Sequence, residues 1–414
     1  MGFRGPVLGD ILKYIAVGLT LLSVALTLSA AEDLPLVTTA GFKDCVSSLE
    51  DKALAEGISR SVVENELATV KFDPRIIGYD RAQPEFTQTF SGYYYQRVTR
   101  SRIQRGRELY SQYRPLLQEI TRQTGVPGRY IVAFWGMETD FGRYFGKLPV
   151  LDSLATLACD QRRSAFFTQE LIAALKILDR GDVDAAQLKG SWAGALGHVQ
   201  FLPSVYLRYA RDADGDGRRD LWNSVPDALT SAGFFLQGLR WNAGERWGRE
   251  VTLPRGFDYA LANLKNRQPL DYWREKGVRT APGGVLPDAK SEAALLVPAG
   301  HRGPAFLVYP NFNVIMGWNQ SEFYALSVGI LADEIIGAGP LRRPPPHDLQ
   351  RLTRKTVMLL QEKLQAAEYD PGPLDGIMGP STRSAISNFQ KSQGWIADGF
   401  PHPEVLAAFT LPVE

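Results

Sequence analysis

Several residue types that usually announce a chemistry are scarce in this sequence. Four His in 414 residues are a poor basis for a zinc centre built on imidazole. No Gly-x-Ser-x-Gly run occurs, so the strained strand-to-helix turn that presents a nucleophilic serine is missing. The net charge is +1, a balance without the electrostatic footprint of a nucleic-acid binder. Only two Cys are present, Cys45 and Cys159. Neither lies just after the N-terminal apolar run, which argues against a lipoprotein anchor. Strand-like alternation is also scarce until Ala293–Val297 and Phe306–Tyr309.

What is present is the composition of an ordinary globular chain with a real core, 44% hydrophobic and 22% charged, and a length that suggests two or three domains. Eight Trp and sixteen Tyr offer flat faces; for any one of them, burial in a core is the ordinary role and stacking on a ligand the special one. Arg4 and Lys13 stand in front of an apolar run from Tyr14 to Leu28, followed by the small residues Ser29-Ala30-Ala31 before Glu32. Residues 1–31 read as a secretory signal, with an uncleaved membrane anchor as the alternative. Either places the body of the protein outside the cytoplasm, where Cys45 and Cys159 would form a disulfide or remain two buried thiols.

Helical periodicity covers residues 41–70 and 100–123, the stretch leading to Glu138, and Ser164–Asp179 and Val225–Trp241. A small β or irregular subdomain is expected between Trp247 and Tyr309. Gly337–His347 is a Pro-rich, stiff, extended linker. After it, Val357, Leu360 and Leu364 mark one helix. Thr382, Ala385, Ile386 and Phe389 mark a second, with Pro380 at its first position, and Asp398-Gly399 precedes a third, shorter one. The expected fold is mainly α (α+β) with this small three-helix module at the C-terminus.

Three clusters carry chemistry. The first is Phe134-Trp135-Gly136-Met137-Glu138-Thr139-Asp140-Phe141-Gly142. A carboxyl at the end of an apolar helix, between Trp135 and Phe141, loses water, and desolvation raises its pKa. A carboxylic acid still protonated near neutral pH is what glycosidic cleavage requires. The second is Lys189-Gly-Ser191-Trp-Ala-Gly-Ala-Leu-Gly-His198-Val-Gln200-Phe-Leu-Pro-Ser204. Its small residues permit close approach of backbone to a ligand, and Ser191 and Gln200 supply neutral hydrogen-bonding groups suited to sugar hydroxyls. The third is Asp212-Ala-Asp214-Gly-Asp216-Gly-Arg218-Arg-Asp220-Leu-Trp-Asn223. It follows a calcium-loop spacing, except that Asn223 stands where the bidentate Glu belongs. Asp227 is the carboxylate that could replace it, Arg218 offers its carbonyl, and a solvated Asp/Gly turn is the plain alternative.

Taken in this order the motifs resemble the lytic murein transglycosylase B family, over roughly residues 41–336. Asn311-Phe-Asn313 and Trp318-Asn319-Gln-Ser-Glu-Phe-Tyr324-Ala are similar to that family's C-terminal site segment. Residues from about 350 to 410 resemble the helical peptidoglycan-binding module of many cell-wall enzymes. The resemblance implies a lysozyme-like catalytic domain over 32–336, a linker over 337–349 and a wall-binding module over 350–414, working in the periplasm. It makes Glu138 the sole catalytic acid and base. Ser191, Gln200, Asn319, Tyr324, Tyr93 and Trp318 become substrate-contacting residues. Asp212, Asp214, Asp216, Arg218 and Asp227 become ligands of a structural Ca²⁺, with no organic cofactor. Trp318 and Phe235 stand where relatives carry Tyr, a change that keeps a flat face and removes a hydroxyl. The partners implied are peptidoglycan glycan strands and cell-wall synthesis proteins. Nucleic acid is not among them, and membrane contact requires an uncleaved N-terminal segment. Ordinary glycosidases use two carboxylates, and no clear second one accompanies Glu138. Cleavage by one carboxylate with an anhydro product is therefore the expected reaction, a hydrolytic muramidase and a non-catalytic wall-binding scaffold being the alternatives.

Overall fold

The computed structural model describes residues 39–82, 88–349 and 351–411; the N-terminal segment read above as a signal or anchor lies outside them. Among the described residues no helix is long and apolar enough to cross a membrane. The chain divides into two compact units. One contains the residues through Ala82, Pro115–Thr124 and Phe134–Leu239, the other Gln83–Arg114, Gly125–Ala133 and Arg240 onward.

The first unit is helical. Its opening helix, Thr39–Ala55, buries Phe42, Val46, Leu49 and Ala53, a three-to-four-residue spacing that puts them on one face. Ser59 caps the short turn that follows, its Oγ accepting the Val62 N–H at 3.4 Å. The central helix Ser164–Asp179 packs against Val150–Cys159 and Pro203–Tyr209. A two-stranded ladder joins β1 (Leu148–Pro149) to β2 (Lys189–Gly190). It ties the segment after Glu138 to the start of the Gly-rich run. Cys45 and Cys159 are joined, with their Cα atoms 5.9 Å apart, inside the range that a disulfide spans.

The second unit is built on a five-stranded antiparallel sheet of β3 (Gly248–Thr252), β4 (Arg267–Pro269), β5 (Arg279–Thr280), β6 (Glu292–Leu296) and β7 (Ala305–Val308), in the order β4-β6-β7-β3-β5. Leu295 and Leu307, directly paired across β6 and β7, join Trp273, Val251 and Tyr309 in one core. Trp247, fully buried, donates its indole N–H to Asp333 at 3.1 Å and packs on Phe306 and Phe312. Asn311 is a buried bracket. Its amide donates to the carbonyls of Asn242 and Glu245, and its Oδ1 accepts the Asn242 N–H.

Two expectations change. The helix expected over 100–123 is two helices, Arg100–Gln112 and Arg114–Thr124. Pro115 has no N–H to donate, and its ring clashes with the carbonyl four residues back, so the first helix stops before it. The linker is extended but strapped down. The N–H groups of Arg342 and Arg343 donate to the two oxygens of Glu250, Tyr95 and Ser91 donate to the carbonyls of Pro345 and Pro346, and the His347 ring stacks on Tyr95 at 4.2 Å.

The disulfide spans 114 residues, so its removal frees a long loop in the unfolded chain. Replacing both cysteines by serine should lower the unfolding free energy by about 2–5 kcal/mol in a denaturant titration. An unchanged midpoint would show that the cross-link does not stabilise the first unit.

Candidate active site

Glu138 stands one residue from the end of the helix Gly128–Thr139 and is half-buried. The apolar run Tyr130–Trp135 before it is buried, which fixes the helix, and the chain then turns sharply. Asp140, Phe141 and Gly142 all have positive φ, at 49°, 61° and 81°. Two non-glycine residues in this region store local strain that the surroundings must hold in place. Phe141 is one of the means. Its ring lies edge-on to Trp135 at 5.8 Å and occupies the space that a Cβ on Gly136 would take. Asp140, the acid nearest in sequence to Glu138, pairs with Arg143 at 3.4 Å.

His198 is the other. The Trp135 indole N–H donates to its Nδ1 at 2.9 Å. The Thr139 hydroxyl donates to the His198 carbonyl at 2.8 Å and accepts the Gly142 N–H at 3.0 Å. The helix end that carries Glu138 is thereby bonded to the Gly-rich loop at the residue just before Val199-Gln200. Burial pushes the imidazole of His198 down to about 4, partly opposed by Asp220, so the ring is neutral at physiological pH. A neutral ring with its proton on Nε2 leaves Nδ1 free to accept. A depressed His pKa means that the unfolded chain takes up a proton first. Stability conferred here is complete above about 6.5 and declines as pH falls towards 4.

Gln200 has φ 48° and donates its Nε2 to the carbonyls of Phe145 (3.1 Å) and Gly197 (3.0 Å). With both amide protons used, Oε1 is the end left to accept from a ligand. Ser191 is half-buried, and its Oγ accepts the N–H groups of Ala193 (3.3 Å) and Ala195 (3.1 Å). Its own proton remains available to donate. The glycines of this run pack closely against the protein. A Cβ on Gly190 would meet the Ala195 carbonyl at 2.1 Å, and one on Gly194 would meet Leu154 at 2.6 Å. They let the loop close on the protein.

Glu138, Ser191 and Gln200 belong to the first unit; Tyr93, Trp318, Asn319 and Tyr324 belong to the second. Tyr93 and Trp318 are half-buried and Tyr324 is buried. Asn319 closes the helix Pro310–Trp318, its Oδ1 accepting the Ser321 N–H at 3.0 Å. Phe235 packs edge-on to Phe201 and beside Tyr209, so it serves the core of the first unit. His198 and Thr139 were not singled out from sequence. The only available signal was the position of Thr139 directly after the candidate acid.

In the Asp-rich loop, Asp212, Asp214 and Asp227 each bring a carboxylate oxygen within 4.8 Å of the other two. Asp216 is outside this group, its carboxylate accepting the Arg218 N–H at 2.8 Å. Asn223 turns its amide to Asp220 at 2.8 Å. Asp227 is fully buried, and that burial raises its pKa against the hydrogen bonds it accepts from Ala213 and Asp220. Three hard oxygens converging on a buried acid fit a calcium-type donor set, and a cation there would offset the cost of ionising Asp227.

Gly142 gives the most direct test of this geometry, since its Cβ would stand 2.2 Å from His198 Cε1. Gly142→Ala combines a left-handed backbone cost of about 1–2 kcal/mol with overpacking of about 1–3 kcal/mol. Gly181→Ala, at φ 72° with nothing near its Cβ, carries only the first. Chemical denaturation should find Gly142→Ala the more destabilised of the two; equal losses would remove the packing claim.

Comparison with known proteins places these features. The transglycosylase SLT domain profile matches residues 41–333, and a peptidoglycan binding domain profile matches residues 353–409. The chain is 32% identical over 244 residues to membrane-bound lytic murein transglycosylase B of Escherichia coli K12, covering 58% of this chain and 65% of that relative. It is similar to the crystal structure of Pseudomonas aeruginosa SltB3 in complex with NAG-anhNAM-pentapeptide, at 43% identity and TM-score 0.83 over 89% of this chain and 99% of that one. It is similar also to Escherichia coli Slt35 in complex with calcium, at 26% identity and TM-score 0.64 over 76% and 99%. With the lysozyme-like helical frame, the half-buried Glu138 and this match over most of the chain, the protein belongs to the transglycosylase SLT domain family.

Proposed function

We propose that the protein is a lytic murein transglycosylase that cleaves the β-1,4 bond between N-acetylmuramic acid and N-acetylglucosamine and leaves a 1,6-anhydromuramic acid end. The observation that carries this reading is the placement of Glu138. It is a half-buried carboxyl on a helix end bonded through Trp135 and Thr139 to the loop of Ser191 and Gln200, while Asp140 is turned to Arg143. The complex of SltB3 with NAG-anhNAM-pentapeptide supports it, because that relative is seen with an anhydro sugar.

Glu138 gives its proton to the glycosidic oxygen as the bond to the muramic acid C1 breaks. Positive charge develops on C1 and the ring oxygen. Ionised Glu138 then takes the proton of the C6 hydroxyl, and O6 bonds to C1. One group serves both steps, since each returns it to the form that the other needs. Intramolecular attack gains from proximity and requires no activated water. Ser191 donates and Gln200 Oε1 accepts on the glycan strand. Tyr93, Trp318, Asn319 and Tyr324 are assigned to glycan contacts on the strength of the family motif. The substrate places the protein in the periplasm, with the C-terminal module bringing it to the wall. Asp212, Asp214 and Asp227 would hold a structural Ca²⁺, which supplies charge to Asp227 and no step of the chemistry.

Glu138→Gln should keep the fold and wall binding and slow turnover by at least about 100-fold. Muropeptide mass spectrometry of digested sacculi should show the wild-type product lighter by one water than a reducing end. Reducing ends would instead identify a hydrolase, and turnover by Glu138→Gln would remove the assignment. For the metal, the raised pKa of Asp227 means that a folding penalty accrues as pH rises above the ordinary carboxylate value of 3.8 and through the raised folded value. Added Ca²⁺ should raise Tm at pH 7 and chelator should lower it, whereas an identical Tm in both would exclude the site.

A further inference from the structure

The C-terminal module contains the same loop twice. In the first copy Gln361 Nε2 donates to Asp375 Oδ1 (3.2 Å) and the Ile377 carbonyl (3.1 Å), Gly376 N–H donates to Gln361 Oε1 (2.8 Å), and Ile377 N–H donates to Asp375 Oδ1 (2.8 Å). In the second, Gln390 Nε2 donates to Asp398 Oδ1 (2.9 Å) and the Phe400 carbonyl (3.1 Å), Gly399 N–H donates to Gln390 Oε1 (2.8 Å), and Phe400 N–H donates to Asp398 Oδ1 (3.0 Å). These four bonds recur in both copies, the first adding one from Gln361 Nε2 to the Thr382 hydroxyl at 3.1 Å. They are what closes an Asp-Gly loop onto the helix before it.

The copies differ at the other carboxylate oxygen. Asp398 Oδ2 receives three more contacts: the His301 N–H at 2.7 Å, His301 Nδ1 at 2.7 Å and His402 Nε2 at 2.6 Å. No described hydrogen bond reaches Asp375 Oδ2. His402 belongs to the module, but His301 does not. It lies in the turn Gly300–Arg302 between β6 and β7. Gly300 has φ 64°, and a Cβ there would stand 2.6 Å from Asp398 Oδ2 and 2.8 Å from both His402 Nε2 and the Phe400 Cβ. The turn therefore approaches the second loop as closely as a glycine backbone permits.

The side chains of Asp398 and His402 are fully buried, and a buried carboxylate must be paired. Burial alone would push Asp398 up; the donors from His301 and His402 outweigh it and hold its carboxyl well below the usual range. The lengths also identify the type of contact. Ligands around a tetrahedral metal at about 2.0 Å stand about 3.3 Å apart. The N···O separations here, 2.6 and 2.7 Å, are those of charge-assisted hydrogen bonds.

We infer that Gly300-His301 is a latch that docks the C-terminal module through its second Asp-Gly loop. The module is thus carried at a fixed position on the sheet β3–β7 rather than on a free tether. The strapped linker is consistent with this, as is the Arg302–Asp348 pair at 2.6 Å. The module's wall-binding role rests on the function proposed above, but the docking does not, and it is read by distance alone.

The test is pulsed EPR on the full chain with the native disulfide intact and spin labels at Glu275→Cys and Lys391→Cys, both exposed helical positions. The parent should give one narrow distance distribution, unchanged by EDTA. Gly300→Ala with His301→Ala should at least double its width. His301→Ala alone, which keeps every bond within the module, should broaden it less. His301→Asn, whose amide can donate near the place of Nδ1, should restore it. Narrow distributions in the double variant and in His301→Ala would overturn the latch. Broadening of the parent by EDTA would also overturn it, in favour of a metal.

Discussion

The site depends first on one hydrogen bond, from the Trp135 indole to Nδ1 of His198, at 2.9 Å. It joins two stretches of chain 63 residues apart and requires a histidine that does not protonate at physiological pH. Burial meets that requirement, and the proton on Nε2 keeps the accepting lone pair directed at the indole. The remaining contacts follow from it. The Thr139 hydroxyl reaches the carbonyl of the same histidine, Gly142 passes beside the ring with no room for a side chain, and the Phe145 ring stands edge-on to the imidazole at 4.6 Å. The Phe145 carbonyl then anchors the Gln200 amide. Glu138 and the loop of Ser191 and Gln200 are held together through one neutral imidazole.

This arrangement accounts for the strain beside the acid. Three consecutive residues with positive φ follow the helix end. They turn the chain back so that Phe141 covers Trp135 and Asp140 faces Arg143. A carboxyl next to such a turn keeps an apolar flank on one side and loses its nearest acidic neighbour to a cation.

The sequence made some of this legible for physical reasons. The Glu138 helix could be read because six consecutive apolar or aromatic residues, Tyr130 to Trp135, have no solvated face. The Asp-rich loop could be read because alternating carboxylates and glycines have few other uses. Other features were hidden. The break at Tyr113 was masked by apolar periodicity that continues past Pro115. The strands β4 and β5, only three and two residues long, are too short to show alternation. In the Gly-rich run a glycine needed for close packing and one needed for close binding are identical in sequence. His198 and His301 were counted among too few histidines for a metal site. Their actual partners, an indole and a carboxylate distant in sequence, could be found only in the folded chain.

The most direct measurement is an NMR titration of the His198 imidazole nitrogens in the folded protein. The account predicts the Nε2–H tautomer with Nδ1 accepting, neutral at pH 6 and titrating at about 4. A charged ring at pH 6, with the ordinary pKa of about 6.5, would contradict it, because a protonated Nδ1 cannot accept from Trp135.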